Sequence, residues 1–280
     1  MKRFGLNGAT TGEHVDIETD IRVAGEAGYQ DVELRDTKIE RYLGSGGTLP
    51  ALRGRLRDAG VEVLSINALE DSTLRTGARL EEILARCRVF CEWARAMDAP
   101  YVVAVPSFLA PGGAGSAGSM DAGMRSQTVA ALAAMAGVAR AFGVKLGFEF
   151  LGFPTCSVST LSLARDILDE VGDPTVGLVV DAFHFYAGGS RLEDLGGLDG
   201  SRIFIFHVDD AEAGDPAGLG DSQRLLPGEG VIPLKPMIAR LEAAGYRGAY
   251  SLELFRPEYW AWPPAEIARR GYDSMARLFA

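Results

Sequence analysis

Histidine, cysteine and lysine are all scarce in this sequence, with three, three and four copies in 280 residues. So few lysines leave little room for Schiff-base chemistry. Lys145 opens an apolar run, at the wrong end for such a role, and Lys38 follows the second run with nothing beside it to support one. The cysteines are odd in number. Cys87 and Cys91 sit four apart on a predicted helix, stacked on one face, and read as small core hydrophobes. A surplus of basic residues is missing too. The net charge of −10 works against non-specific binding to nucleic acid or to an anionic membrane. No run approaches the roughly 18 apolar residues of a membrane span. The Ala-rich stretch 128–142 is broken by Gly137 and Arg140, and MKRFGLNGATTGEH lacks the apolar core of a signal peptide. A cytoplasmic location is the resulting expectation.

What is present is a regular alternation. Strand-like apolar runs fall at 3–7, 31–35, 61–66, 100–105, 145–150, 175–181, 202–207 and 248–254. Helical patterns lie between them near 17–27, 48–59, 76–98, 123–142, 158–171, 191–196, 233–244 and 263–279. Gly28, Gly60, Gly172 and Gly245 follow four of these as left-handed C-caps. With 47% hydrophobic residues the chain can fill a large core. Eight βα units without a break in composition predict one α/β domain over 1–280, a (β/α)₈ TIM barrel, a fold of about 250 residues. A doubly wound open sheet is the alternative, but it does not explain polar groups at so many strand ends. The segment APGGAGSAGSM (110–120) follows the fourth strand and is expected on the mouth side as a lid or a surface loop. Gly113, Gly115 and Gly118 fit G-x-G-x-x-G there. They begin several residues beyond the strand in a compositionally trivial run, which speaks against a dinucleotide site.

The chemistry gathers at four strand ends. KLGFEF, TVGLVVD, RIFIFH and GAYSLEL carry Glu149, Asp181, His207 and Glu253 at or next to their last residues. Any one of them could be a solvated carboxylate, a helix cap or a satisfied core imidazole. On four consecutive strands of a barrel they converge in the cup where TIM-barrel sites form. Left unpaired there, they would cost several kcal/mol in desolvation, on the order of a buried-charge penalty. A divalent cation removes that cost, and three carboxylates with one imidazole suit an oxygen-preferring ion, with the softer Zn²⁺ also open. With a cation polarising a ketone, Glu149 and Glu253 could take a proton from the neighbouring carbon and return it elsewhere. Metal-assisted hydrolysis would use the same ligands, so the ligands alone leave the reaction open.

His184, three residues past Asp181, is expected over the site as a substrate contact or as a support for Asp181. Arg224 and Arg256 lie on the seventh and eighth mouth loops, either as donors to substrate oxygens or as surface salt bridges. The acidic loop after His207, with Asp209, Asp210, Glu212, Asp215 and Asp221, leans toward a neutral polyol rather than a sugar phosphate. His14 reads as a solvated loop residue.

These residues, with NGATT (7–11), GYQDVELR (28–35), YVVAVP (101–106), EFLGFPTCSVST (149–160), VGLVVDAFHFYAGGS (176–190), IFIFHVDDAE (203–212), RLLPGEGVI (224–232) and SLELFRPEYW (251–260), carry a resemblance over essentially the whole chain. The sequence resembles the xylose isomerase-like, sugar phosphate isomerase/epimerase superfamily of TIM barrels, and within it the inosose (2-keto-myo-inositol) isomerases of inositol catabolism. The resemblance implies one divalent metal, Mn²⁺, Co²⁺ or Zn²⁺, held by Glu149, Asp181, His207 and Glu253. It also implies proton shuttling by Glu149 and Glu253 through an enediol, with His184 and Arg224 on the substrate, a small polyol ketone. Members of the group often form homo-oligomers. Two features depart from the branch: Gly8, where a larger polar residue is expected, and the Gly-rich 110–120 loop. A dehydratase of the 3-dehydroshikimate type on the same scaffold is the alternative reaction. The related abasic-site endonucleases need a histidine-rich three-metal cluster that three histidines and a net charge of −10 do not favour.

Overall fold

The computed structural model describes residues 2–109 and 120–280; the G-x-G-x-x-G run and nearly all of the Gly-rich loop lie outside them. Eight parallel strands close into a barrel: β1 (Phe4–Asn7), β2 (Asp31–Arg35), β3 (Glu62–Leu69), β4 (Tyr101–Ala104), β5 (Lys145–Glu149), β6 (Val176–Asp181), β7 (Ile203–Val208) and β10 (Ala249–Leu252). They follow chain order around the ring, and β10 pairs with β1 to close it. β8 (Asp210–Ala211) and β9 (Arg224–Leu225) form a small antiparallel ribbon outside the barrel.

Helices α1 (Ile17–Ala27), α2 (Asp36–Gly44), α3 (Leu49–Ala59), α4 (Ala78–Ala96), α5 (Ala122–Phe142), α6 (Leu161–Val171), α7 (Ala182–Ala187), α8 (Leu234–Ala243), α9 (Pro257–Trp260) and α10 (Pro264–Leu278) make the connections. Local chemistry starts and stops them. Asp16, Thr48, Asp121 and Thr160 accept the orphan N–H groups at the heads of α1, α3, α5 and α6. Gly28, Gly60 and Gly172 close α1, α3 and α6 at positive φ, as the sequence implied.

Two expectations need correction. The helix expected near 191–196 is a four-residue 3₁₀ turn, Leu192–Leu195, and the helical segment α7 starts directly at the end of β6. The cause is Asp181, whose side chain caps α7 by accepting the His184 N–H at 2.6 Å. The second is α2, which was not foreseen. It follows β2 without a connecting loop, and the sequence carries no capping side chain before it.

The strands sort their side chains with period two. Val102, Ala104, Leu146, Phe148, Leu178, Val180 and Phe206 join the large apolar layer under the helices. Their neighbours Val103, Val105, Val179 and Ile205 form a second cluster, which the alternation places inside the barrel. Cys87 and Cys91 are fully buried in the outer layer, as expected. Among the described residues no helix is long and apolar enough to cross a membrane.

Candidate metal centre

The same alternation aims the functional side chains. Counting on from Val179 and Ile205, the next inward positions are Asp181 and His207; counting from Ala249, they are Ser251 and Glu253. Glu149 follows the outward Phe148 in the same way. Register then levels them, since Asp181 pairs with His207 and His207 with Ser251. One ligand atom from each of Glu149, Asp181, His207 and Glu253 lies within 4.8 Å of all the others, and all four residues are buried.

His207 Nδ1 is the centre of the group. It is 2.8 Å from Glu149 Oε1, 3.3 Å from Glu253 Oε2 and 3.8 Å from Asp181 Oδ2. Its other nitrogen, Nε2, is 3.0 Å from Glu33 Oε1. Glu33 is fully buried on β2 and also accepts from the hydroxyls of Ser65 and Ser251. A carboxylate there holds the proton on Nε2 and turns the Nδ1 lone pair toward the three acids. Asn7 donates from Nδ2 to Glu253 Oε1 at 2.7 Å and fixes that carboxylate in turn.

The electrostatics describe a site with too much negative charge. Burial pushes the Glu253 carboxyl up to about 8, and the nearby Glu149 and Asp181 add to the rise against His207 and Arg224. Burial opposes a charged His207, but the Glu253, Glu33 and Glu149 carboxylates outweigh it and raise its pKa well above the ordinary value. Burial would raise Glu33 and Asp181 too. His207 with two serine hydroxyls pulls Glu33 down to about 2, and Arg224 with the two histidines does the same for Asp181. A dication at Nδ1 would take over the compensation that protons supply here. Ligands each about 2.1 Å from one ion lie roughly 3 to 4 Å apart, so a small contraction closes this set. The donor set fits a divalent metal.

Arg224 arrives on the β8–β9 ribbon. Asp210 braces that loop by accepting the N–H groups of Gly228 and Ile232. The guanidinium is 1% exposed, donates to Asp181, Asp209 and Asp221, and lies between the rings of Phe183 and Phe255. It also reaches His184 Nε2 at 3.0 Å. A guanidinium only donates, so Nε2 must accept and the His184 proton sits on Nδ1. That Nδ1 is buried with no partner among the described residues. Burial, aided by Arg224, lowers the His184 pKa against the pull of Asp181, so the ring is a neutral N–H donor.

A cavity of about 160 Å³ opens over the centre, lined among others by Glu149, Glu253, His184 and Arg224. Arg256 is not among its lining residues and pairs with Glu212 and Glu258. Lys38 is buried away from it, on Asp20 and the Gly8 carbonyl. Gly8 has a packing reason, since a Cβ there would stand 2.9 Å from Asp20 Oδ2. His14 is exposed. Sequence reasoning missed Glu33, Asn7, Arg35 and Asn67. Their signal was strand parity: in DVELR the outward Val32 and Leu34 leave Glu33 and Arg35 inward.

Fold and centre together define a xylose isomerase-like TIM barrel, and the model of that family matches residues 21–278, so the chain belongs to it. It is 36% identical to the inosose isomerase of Halalkalibacterium halodurans over 273 residues, covering 97% of this chain and 94% of that one. A crystal structure of the IolI protein with a bound zinc atom superposes with a TM-score of 0.91 at 31% identity, covering 99% and 97% of the two chains. More distant is a 3-dehydroshikimate dehydratase of Pseudomonas aeruginosa, 27% identical, matching 90% of this chain but 38% of that protein.

Proposed function

We propose that this chain, as one barrel domain over 1–280, is a divalent-metal-dependent inosose isomerase that moves the ketone of a cyclitol to the adjacent carbon. The observation that carries the reading is the buried cluster of Glu149, Asp181, His207 and Glu253, with ligand atoms within 4.8 Å of one another. Near-full-length relatives of that activity support it. These four residues would hold the cation, Zn²⁺ in the first instance with Mn²⁺ and Co²⁺ as the other candidates. When bound, the cation supplies stabilisation of negative charge on the substrate oxygens.

The remaining work belongs to the chain. Glu149 and Glu253 come from β5 and β10, with β6 and β7 between them, and border the cavity from two sides. One takes the proton from the carbon beside the ketone and the other returns a proton to the neighbouring carbon, through an enediol. Asn7 orients Glu253 for that exchange. His184 donates from Nδ1 to a substrate oxygen, and Arg224 holds both His184 and Asp181 in place. Arg256, outside the cavity lining, joins two mouth loops through Glu212, the Ser222 carbonyl and Glu258, and its part is to hold those loops rather than the substrate.

The test is solvent exchange. Metal-loaded protein in D₂O should place deuterium on one ring carbon of inosose by NMR, and the chelated protein should not. Absence of deuterium overturns the reading. An absorbing conjugated product from 3-dehydroshikimate would replace it with dehydration.

A further inference from the structure

Arg35 ends β2 and Asn67 lies two residues before the end of β3, opposite the strands that carry the acidic cluster. In the ring of eight, β2 stands across from β6 and β3 across from β7, so the pair faces Asp181 and His207. Both occupy inward positions, next to the outward Leu34 and Ile66, and register places them side by side. Both line the cavity that Glu149, Glu253 and His184 also line.

Their hydrogen bonding is incomplete in a specific way. Arg35 Nη1 donates to Asn67 Oδ1. Because a guanidinium offers donors alone, the amide oxygen must face it and the Nδ2 group turns away. Asn67 Nδ2 and Arg35 Nε are then buried donors with no hydrogen-bond partner among the described residues, Nε reaching Glu13 Oε1 only at ion-pair distance, 3.7 Å, and Asn67 is 2% exposed. Buried donors are nearly always paired, so two adjacent orphans on a cavity wall mark the place of an absent acceptor. The charge around them selects its type. Glu13 and Glu70 stand 3.7 and 3.8 Å from the Arg35 guanidinium, and Glu70, Glu149, Asp221 and Glu253 line the same cavity. That environment balances Arg35 and repels an anion. The acceptor it fits is a neutral oxygen.

We infer that Arg35 and Asn67 form the recognition site for the ring hydroxyls of the substrate remote from the reacting carbons. The inference rests on the isomerase reading for the substrate class, and on the orphaned donors for the site. A cyclitol held at the far wall by these donors presents its ketone and adjacent hydroxyl to Glu149 and Glu253. The pair distinguishes a full polyol ring from shorter hydroxyketones, and disfavours a ring bearing a carboxylate.

The test compares zinc-loaded wild type with Arg35→Met and Asn67→Leu, and Asn67→Asp as a same-size variant should leucine disturb folding. Calorimetric titration with myo-inositol, which has no ketone to react, should show binding about 10-fold weaker in each variant, as for loss of one buried hydrogen bond. Inosose turnover should show KM raised by a similar factor with kcat held within about twofold, and zinc affinity should not change. Unaltered myo-inositol affinity, or a fall in kcat at constant KM, overturns the inference. Wild-type protein that binds myo-inositol, loses it in the variants, yet exchanges no deuterium into inosose would refute the isomerase reading and leave the pair standing.

Discussion

Glu33 offers the sharpest test of how the centre is built, because it is no metal ligand. Glu33→Gln keeps the side-chain volume, and the amide oxygen can still accept from His207 Nε2. What it removes is one negative charge in a place that burial seals from water. In the folded protein that carboxyl sits at about 2 because His207, Ser65 and Ser251 overcome its burial. A depressed acid contributes stability above its ordinary pKa and loses it as pH falls toward the folded value, so at pH 7 the contribution is complete. Gln forfeits it, and also the pull that makes His207 a strong nitrogen donor. Partners of this type are worth about 10 to 100-fold in metal affinity, or about 1.4 to 2.7 kcal/mol. Chelator competition at pH 7 should read that loss directly. With metal at 100 times the wild-type Kd, wild type gains about 2.7 kcal/mol of stability, and the variant should gain only ~0.4 to ~1.4 kcal/mol. Equal affinities in two equally folded proteins would refute the argument, by showing that His207 binds no metal or that Glu33 does not orient it.

Glu149→Gln and Glu253→Gln should each slow deuterium wash-in to inosose by about 10²- to 10⁴-fold at saturating metal, the range for a lost proton-transfer group. Lys38→Met leaves Asp20 buried without its partner and should cost about 3–5 kcal/mol in a denaturant titration, while Asp20→Leu with Lys38→Met should recover most of it. Burial raises Asp20 to about 6 despite Lys38, so its contribution is full below its ordinary pKa of 3.8 and lost as pH rises through about 6. Asp20→Asn should flatten that part of the stability–pH profile, and an unchanged slope would contradict it. Gly152→Ala should destabilise by about 1–3 kcal/mol and weaken substrate binding, because its Cβ would meet the His184 carbonyl oxygen at 2.3 Å.

The four clustered residues were legible because each stands at or next to the end of an apolar run, a local signal that one strand displays by itself. Most strand ranges were legible for the same reason, and β2 matches its predicted limits. Arg224 and Arg256 show where local reading stops. Both are arginines on mouth loops, yet one is drawn inward by the β8–β9 ribbon and the other is held by Glu212 and Glu258. Nothing in either segment states which carboxylates will be near. The helix after β6 was misplaced because Asp181 does two things at once, aiming one oxygen at the centre and capping α7 with the other.

The first half of the barrel was harder to read than the second, and the reason is physical. β5, β6, β7 and β10 carry Glu149, Asp181, His207 and Glu253 at or next to their ends, so their chemistry stands exposed in the sequence as unexplained charge. Asn7 and Glu33 answer those groups from across the closure: Asn7 holds Glu253, and Glu33 holds His207. Their purpose appears only once β10 pairs with β1 and β1 with β2, which brings Asn7 to Glu253, 246 positions away, and Glu33 to His207, 174 away. A barrel lumen makes such pairing unavoidable, since every inward side chain meets the others and must be matched to them. Arg35 and Asn67 are the inward residues of that half for which the described chain holds no complete match, which is why their partner is sought in the substrate.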